Sequence, residues 1–185
     1  FNIVAKSGLI TISELSGYNG SETKRTLDEN AITGQLEIES GEKIAKINTT
    51  IVNNYQSDIS NVRILGKIPV KNNKNINGED LGSTFSTNLA EALQTDGISG
   101  KIYYSEEAEP TEESTSWEEQ VASFENIKSF KIVLDNSISV GNKLGFSYNT
   151  KIPSNLQPNL KTYATYTVKY NINGQELENT QTLGF

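Results

Sequence analysis

The chain has 185 residues, a formal net charge of −7, and no Cys, Met or His. This composition excludes a thiol nucleophile, a Ser-His-Asp triad and a zinc site built from Cys or His ligands. The length is that of one large domain or two small ones, and the negative charge argues against nucleic-acid and anionic-membrane partners.

The first part of the chain alternates apolar and polar residues in short runs. Such alternation over about four to eight residues is typical of a strand that buries one face. We therefore expect strands in the following stretches, which polar segments separate: 3–5, 9–15, 35–39, 47–51 and 62–68.

The second part of the chain carries the same alternation. Strands are expected at 130–134, 144–152, 166–172 and 175–182. The dipeptide 173–174 is Asn-Gly and lies between the last two of these runs. Because Asn and Gly both tolerate a positive φ, this dipeptide predicts the tight turn of a β-hairpin.

Two segments depart from the strand pattern. Residues 87–94 are rich in Leu and Ala, and Ser116 precedes Glu119 at the spacing of a helix capping box. Helices this short are marginal by themselves. The sequence therefore predicts an all-β protein, an antiparallel Ig-like β-sandwich with one or two short helical turns.

Residues 35–185 form the predicted main β-sandwich. Residues 1–34 are expected to form N-terminal strands, which belong either to the same sandwich or to the end of a preceding module. The chain starts at Phe1 without a Met and stops at Phe185, so we expect it to be a piece of a longer protein. No apolar run is long enough to span a bilayer, so we expect no membrane insertion by this piece.

Seven glutamates are concentrated in residues 106–119. One hypothesis is a calcium site, since several oxygen ligands hold this hard cation. The alternative, which we favour, is a solvated loop that charge repulsion keeps extended. No other cofactor or metal is expected, and the calcium candidates are Glu106, Glu107, Glu109, Glu112 and Glu113.

Residues 73–80 (NKNINGED) resemble the opening of a calcium-binding loop. The first position holds Asn73 instead of Asp, and the twelfth holds Thr84 instead of a bidentate Glu. Such a loop would lack both the charge and the coordination number that calcium needs. A plain Asn-Gly turn is the expected structure.

Tyr103, Tyr104 and Trp117 are candidates for an aromatic platform that stacks on sugar rings. The competing interpretation is that their rings belong to the core and only their polar tips are exposed. Carboxylate pairs could also support glycoside hydrolysis. Nothing in the sequence pairs two carboxylates with a pocket, so we expect that the protein is not an enzyme.

A Lys–Asn amide crosslink is a further hypothesis. A buried Lys beside an Asn and a carboxylic acid can condense, because burial makes both the amine and the acid neutral. The candidates are Lys46 and Lys169, with Asn171 and Asn179. The alternation places Lys169 and Asn171 on the polar face of their strand, so we expect solvated lysines instead.

Several short segments carry a family resemblance. They are residues 61–69 (NVRILGKIP), 102–105 (IYYS) with the acidic run and Trp117 behind them, 128–132 (KSFKI), 146–148 (FSY), 151–153 (KIP) and 163–170. Together they resemble the conserved-repeat β-sandwich modules of large Gram-positive cell-surface proteins, over residues 35–185. The resemblance implies an Ig-like sandwich in a secreted, wall-associated protein, with no catalytic residues.

The expected function follows from this resemblance. It is a structural or stalk module at the bacterial cell surface, outside the cell, that positions an adhesive region. Its partners are then neighbouring modules of the same chain. The alternative is an adhesin domain that itself binds a host extracellular-matrix protein or a glycan, and a third hypothesis is a calcium-dependent carbohydrate-binding module.

Overall fold

The computed structural model describes residues 8–18, 22–26, 33–35 and 43–185. Within these ranges the chain forms strands and no helix, so none of them contains a helix long and apolar enough to cross a membrane. The strands are β1 (Leu9–Tyr18), β2 (Glu22–Thr26), β3 (Thr33–Gln35), β4 (Ile44–Asn53), β5 (Ser60–Lys67), β6 (Asn88–Leu89), β7 (Gln94–Asp96), β8 (Gly100–Ser105), β9 (Ser129–Leu134), β10 (Lys143–Lys151), β11 (Tyr163–Ile172) and β12 (Gln175–Gly184).

The strands form two sheets. Sheet A has the order β2-β1-β4-β10-β6, and β7 also pairs with β10. Sheet B has the order β3-β12-β11-β5-β9-β8. All of these pairs are antiparallel, except that β3 runs parallel to β12.

The strand order is that of an immunoglobulin sandwich. A constant-type Ig domain places strands A, B, E and D in one sheet and G, F and C in the other. Here β1, β4, β10 and the edge strands β6 and β7 follow the first order, and β12, β11 and β5 follow the second. The hairpin of β8 and β9 extends sheet B beyond β5. The predicted antiparallel Ig-like sandwich is confirmed.

The prediction of short helical turns is wrong. Residues 87–94 contain β6 and the start of β7, which pair with the edge of β10. Leu89 and Leu93 of this segment are buried in the core. In this segment, backbone hydrogen bonds to the edge of β10 replace those of a helix. In the second segment, around Ser116, the backbone of Glu118 pairs with that of Tyr104 and forms a β-bridge.

The N-terminal strand β1 is part of sheet A. It pairs with β4 over ten residues, from Leu9 opposite Asn53 to Tyr18 opposite Ile44. Its residue Leu15 is fully buried in the core. Two other predicted strands, 3–5 and all but the first residue of 35–39, lie outside the described residues.

Aromatic rings join the two sheets at the centre of the sandwich. Phe146 of β10 lies edge-on to Phe130 of β9 and to Tyr166 of β11, with ring centroids 5.7 and 5.4 Å apart. These are the favoured edge-to-face geometries of aromatic pairs. Gly66 of β5 leaves room for this cluster, because a Cβ atom there would overlap the Phe130 ring.

A buried polar cluster also joins the sheets. It consists of Ser13 on β1, Thr49 on β4, Tyr166 on β11 and Gln181 on β12, each at most 3% exposed. Ser13 Oγ lies 3.1 Å from Thr49 Oγ1 and donates to Gln181 Oε1 over 3.0 Å, and the Tyr166 hydroxyl donates to the same Oε1. The cluster therefore ties the first strand to the last through the interior.

The chain starts and finishes its sandwich at opposite ends. At one end, here called the amino pole, β1 begins, and the hydroxyl groups of Tyr55 and Tyr170 lie 2.8 Å apart, near the β11–β12 turn. At the other end, the carboxyl pole, β12 finishes and the ring of Phe185 packs on Phe85 with centroids 6.3 Å apart. Strands β1 and β12 thus run in the same direction in different sheets.

Candidate functional site

The acidic segment 106–119 folds back across the outer face of sheet B and is here called the strap. At its end, the Tyr104 and Glu118 backbones exchange two hydrogen bonds of 2.8 and 2.9 Å. Near its start, Ser129 Oγ donates to the carbonyl oxygen of Glu107 over 2.9 Å. The strap is therefore held against the sheet and is not an extended loop.

Glu112 of the strap contacts three basic residues of sheet B. Its carboxylate lies 3.0 Å from Arg63 Nη1 and 3.1 Å from Lys169 Nζ, and its carbonyl oxygen accepts from Lys131 Nζ over 2.8 Å. Burial alone would raise the pKa of Glu112, but the hydrogen bonds and charges of Lys169 and Arg63 outweigh it and lower that pKa. Glu112 thus stays ionised and fastens the strap to β5, β9 and β11.

Lys131 lies between two aromatic rings. Its Nζ is 5.1 Å from the centroid of Tyr103 and 4.9 Å from that of Trp117, within cation–π range. The Trp117 indole donates its N–H to the carbonyl oxygen of Thr111 over 2.8 Å. Tyr103 of the sheet and Trp117 of the strap therefore both contact Lys131, and Trp117 is also hydrogen-bonded within the strap.

The three predicted platform residues do not share one exposed surface. Tyr104 is buried, its hydroxyl accepts the N–H of Leu93 over 3.0 Å, and burial raises its pKa. Tyr103 and Trp117 lie on the outer face around Lys131. Sugar binding by these residues stays a prediction.

The calcium candidates are spread along the strap. Glu106, Glu107, Glu109 and Glu113 are exposed, whereas Glu112 is paired with basic residues. Across the described ranges, no group of three or more His, Cys, Asp or Glu side chains is placed to hold a metal ion. Calcium binding stays a prediction.

The turn at residues 73–80 lies across from the strap. Asn75 Oδ1 accepts the N–H groups of Asn77 and Glu79 over 2.9 and 3.0 Å, and Gly78 has a φ of 81°. Asn73 is buried and donates to the carbonyl oxygen of Tyr163 over 2.7 Å. These amide groups hold the shape of the turn itself.

A groove of about 330 Å³ separates the turn from the strap. Outward-facing side chains of β5, β9 and β11 form its floor, Ile76 stands on one side, and Pro110 and Trp117 stand on the other. Lys67 of β5 lies in the floor and is half-buried. Burial lowers the pKa of Lys67, and the nearby carboxylate of Glu109 opposes this only in part.

Arg63 and Lys67 are not among the site residues predicted from the sequence. Both lie on the outer face of β5 with Leu65, while Ile64 and Ile68 face the core. Period-two alternation could have placed the two basic residues on one face. Their positive charge is opposite to that of the strap, and this complementarity could have indicated that the strap packs on this face.

Of the crosslink candidates, Lys169 lies on the outer face, as its alternation predicts. Its Nζ pairs with Glu112 over 3.1 Å. Lys46 lies in β4 and is partly exposed. Neither Lys169 nor Lys46 is a buried lysine of the kind that the crosslink chemistry requires.

Replacing Glu112 by Gln should weaken the attachment of the strap. We expect the free energy of unfolding to fall by about 1 kcal/mol at low salt, the upper range for partly exposed ion pairs. Because folding lowers the pKa of Glu112, its contribution is complete above the unfolded-state pKa of about 4.3 and is lost as the pH falls through the folded-state value.

Urea unfolding of the wild type and Glu112→Gln from pH 7 to pH 3 measures this difference. The two unfolding free energies should converge at the acidic end. Glu113→Gln, at the exposed neighbouring position, is the matched control and should behave as the wild type does. A difference for Glu112→Gln that is constant over the whole range would contradict the ion-pair assignment.

Comparison with known proteins gives no family. No protein-family model matches the chain, and no curated protein matches it either. Solved structures do show similarity, and three are described here.

The chain is similar to the collagen-binding domain of a Staphylococcus aureus adhesin, with 11% identity, 76% of this chain and 87% of that one covered, and a TM-score of 0.37. It is similar to a protein of Corynebacterium diphtheriae described as membrane anchored, with 16% identity, 100% and 45% coverage, and a TM-score of 0.45. It is also similar to a family 123 glycoside hydrolase from Clostridium perfringens, with 14% identity, 82% and 22% coverage, and a TM-score of 0.33. The chain spans less than half the length of the last two, and similarities this distant transfer no function.

Proposed function

We propose that this domain is a load-bearing spacer, a structural or stalk module of a secreted, wall-associated bacterial surface protein, and that it is not an enzyme. One observation carries the proposal: β1 begins at the amino pole and β12 finishes at the carboxyl pole. Modules with this arrangement can be joined head to tail, so that tension passes along the long axis of each sandwich.

The strand pairing suits this role. Each of β1 and β12 pairs with its neighbour, β4 or β11, over ten residues. Ladder hydrogen bonds in antiparallel pairs lie perpendicular to the strands. Tension between the poles acts along the strands and therefore loads all bonds of a ladder together, instead of opening them one at a time.

The cell-surface location rests on the resemblance of residues 61–69, 102–105, 128–132 and 163–170 to modules of Gram-positive surface proteins. The proposed partners are neighbouring modules of the same chain. Binding of a host matrix protein or glycan by the domain itself is the alternative proposal, and it requires a ligand site on the surface of the sandwich.

Single-molecule pulling in two directions tests the spacer proposal. The chain has no Cys, so a handle can be attached at one introduced thiol. Pulling between the two chain ends loads β1 and β12 in shear. Pulling between the amino-terminal end and Gln175→Cys, at the first residue of β12, applies force at the amino pole alone and peels the strands.

We expect a clearly higher unfolding force for end-to-end pulling than for pulling through position 175, because shear breaks many ladder bonds at once. An equal or lower end-to-end force would contradict a load-bearing role. The unfolding free energy of Gln175→Cys in urea is the control, since it must match the wild type for the two forces to be compared.

A further inference from the structure

The floor of the groove between the turn and the strap holds a lysine without a partner. In the part of the chain that the structure describes, Lys67 Nζ has no hydrogen bond or ion pair, although its side chain is half-buried. Removing an ammonium group from water without a compensating partner is costly, and burial indeed lowers the pKa of Lys67, which the charge of Glu109 opposes only in part. The neighbouring Lys169 already binds Glu112.

The other polar groups of the floor are occupied. Ser129 Oγ donates to the carbonyl oxygen of Glu107, Thr165 Oγ1 donates to that of Gln181, and Thr167 Oγ1 pairs with Thr180 Oγ1. The three N–H donors of Lys67 are therefore the polar groups that the floor offers to a ligand.

The rest of the groove selects the kind of ligand. Leu65, Ile76, Pro110 and the Trp117 ring present apolar surface, and Ile76 is 36% exposed. Glutamates 109, 112 and 113 line the strap side. Because Glu112 is paired with Arg63 and Lys169, the repulsion comes mainly from Glu109 and Glu113, and it is stronger for a polyanion than for a ligand with one carboxylate that pairs with Lys67.

We propose that this groove binds a ligand with one carboxylate on an apolar body, and that Lys67 pairs with the carboxylate. The apolar body packs against Ile76 and Trp117. A polyhydroxylated sugar acid fits less well, because the hydroxyl groups of the floor are already hydrogen-bonded. This binding site goes beyond the spacer role and does not depend on it.

Trp117 provides a direct readout, because it is the single Trp of the chain and lines the groove. Its fluorescence is followed while the purified domain is titrated with N-acetyl-leucine, hexanoate, N-acetyl-leucinamide or glucuronate. We expect a saturable change with the first two probes, and at least tenfold weaker binding of the uncharged amide and of glucuronate. Tighter binding of N-acetyl-leucine than of hexanoate identifies a peptide carboxyl terminus as the source of the carboxylate, and the reverse identifies an aliphatic acid.

Variants of Lys67 assign the site. Lys67→Met should weaken N-acetyl-leucine binding at least tenfold, and Lys67→Arg, which keeps the charge, should retain it. Lys143→Met, at an exposed lysine of sheet A, is the matched control and should bind as the wild type does. Near-UV circular dichroism confirms that each variant is folded.

Two results would overturn the proposal. The first is equal binding of the carboxylate and amide probes, or no saturable binding of either. The second is a folded Lys67→Met variant that binds N-acetyl-leucine as tightly as the wild type. Neither result bears on the pulling experiment, so the groove and the spacer role can fail separately.

Discussion

Val168→Pro is expected to unfold the domain or to lower its free energy of unfolding by about 3 kcal/mol or more. Val168 lies in β11 between Asn179 of β12 and Ile64 of β5, and it is fully buried. A proline there has no N–H to donate, so one ladder bond is lost in the centre of sheet B. A domain of ordinary stability has only about 5–15 kcal/mol to lose.

Val168→Ala is the matched control, because it shortens the same side chain and keeps the N–H. Thermal and urea unfolding should show a folded Val168→Ala with a smaller loss of stability, caused by the cavity alone. If Val168→Pro melted as the wild type does, β11 would not be a central strand, and the order of sheet B would have to be revised.

Gln181→Leu is expected to cost at least about 2 kcal/mol of stability. Gln181 Oε1 accepts hydrogen bonds from both Ser13 and Tyr166 inside the sandwich. A leucine cannot accept either bond, and a buried donor left without an acceptor costs about 1–3 kcal/mol. Urea unfolding of the variant measures the loss.

A double-mutant cycle with Tyr166→Phe separates the hydrogen bond from packing. Tyr166→Phe removes one of the two donors, so the double variant with Gln181→Leu should be more stable than the sum of the single losses predicts. Strict additivity would mean that Tyr166 and Gln181 are not coupled, and that their hydrogen bond does not contribute to the pairing of β11 with β12.

The β-sandwich could be predicted because its local signals agree with each other. Alternation in 144–152 and 166–172 gives β10 and β11, and the turn at 173–174 gives the hairpin with β12. Asn173 and Gly174 indeed have φ angles of 50° and 76°. The strands and the turn depend only on residues that are close together in the sequence, so local patterns are sufficient to predict them.

The prediction of helical turns was wrong because the structure of residues 87–94 depends on pairing with β10, which is distant in the sequence. Residues 87–94 have a local preference that is compatible with a helix, but the open edge of β10 binds their backbone and the core buries Leu89 and Leu93. Tertiary contacts override a weak local propensity in a segment this short. A single sequence does not show which edge will be open.

The groove could not be predicted from the sequence, because it also depends on contacts between residues that are distant in the chain. Glu112 and Arg63 are 49 positions apart, and nothing local indicates that the strap folds over β5. Repulsion among the glutamates predicts an extended, solvated loop only if no basic residues lie on the surface beside them. Contacts of Glu112 with the basic side chains of Arg63, Lys131 and Lys169 attach the strap to the sheet.

The spacer proposal requires that β1 begins at one pole of the sandwich and β12 finishes at the other. Pulsed electron spin resonance measures the separation of the two poles, with spin labels at exposed positions changed to Cys. Gln56 follows β4 at the amino pole, Gln175 begins β12 at the same pole, and Lys161 lies beside Phe185 at the carboxyl pole.

We predict that the distance between labels at 56 and 161 exceeds about 25 Å, because eight or more strand residues at about 3.3 Å each separate the poles. The distance between labels at 56 and 175 should be clearly shorter, since only the sheet spacing of about 10 Å and the label arms separate them. A 56–161 distance as short as the 56–175 distance would place the start of β1 and the end of β12 at one pole and would contradict the spacer proposal.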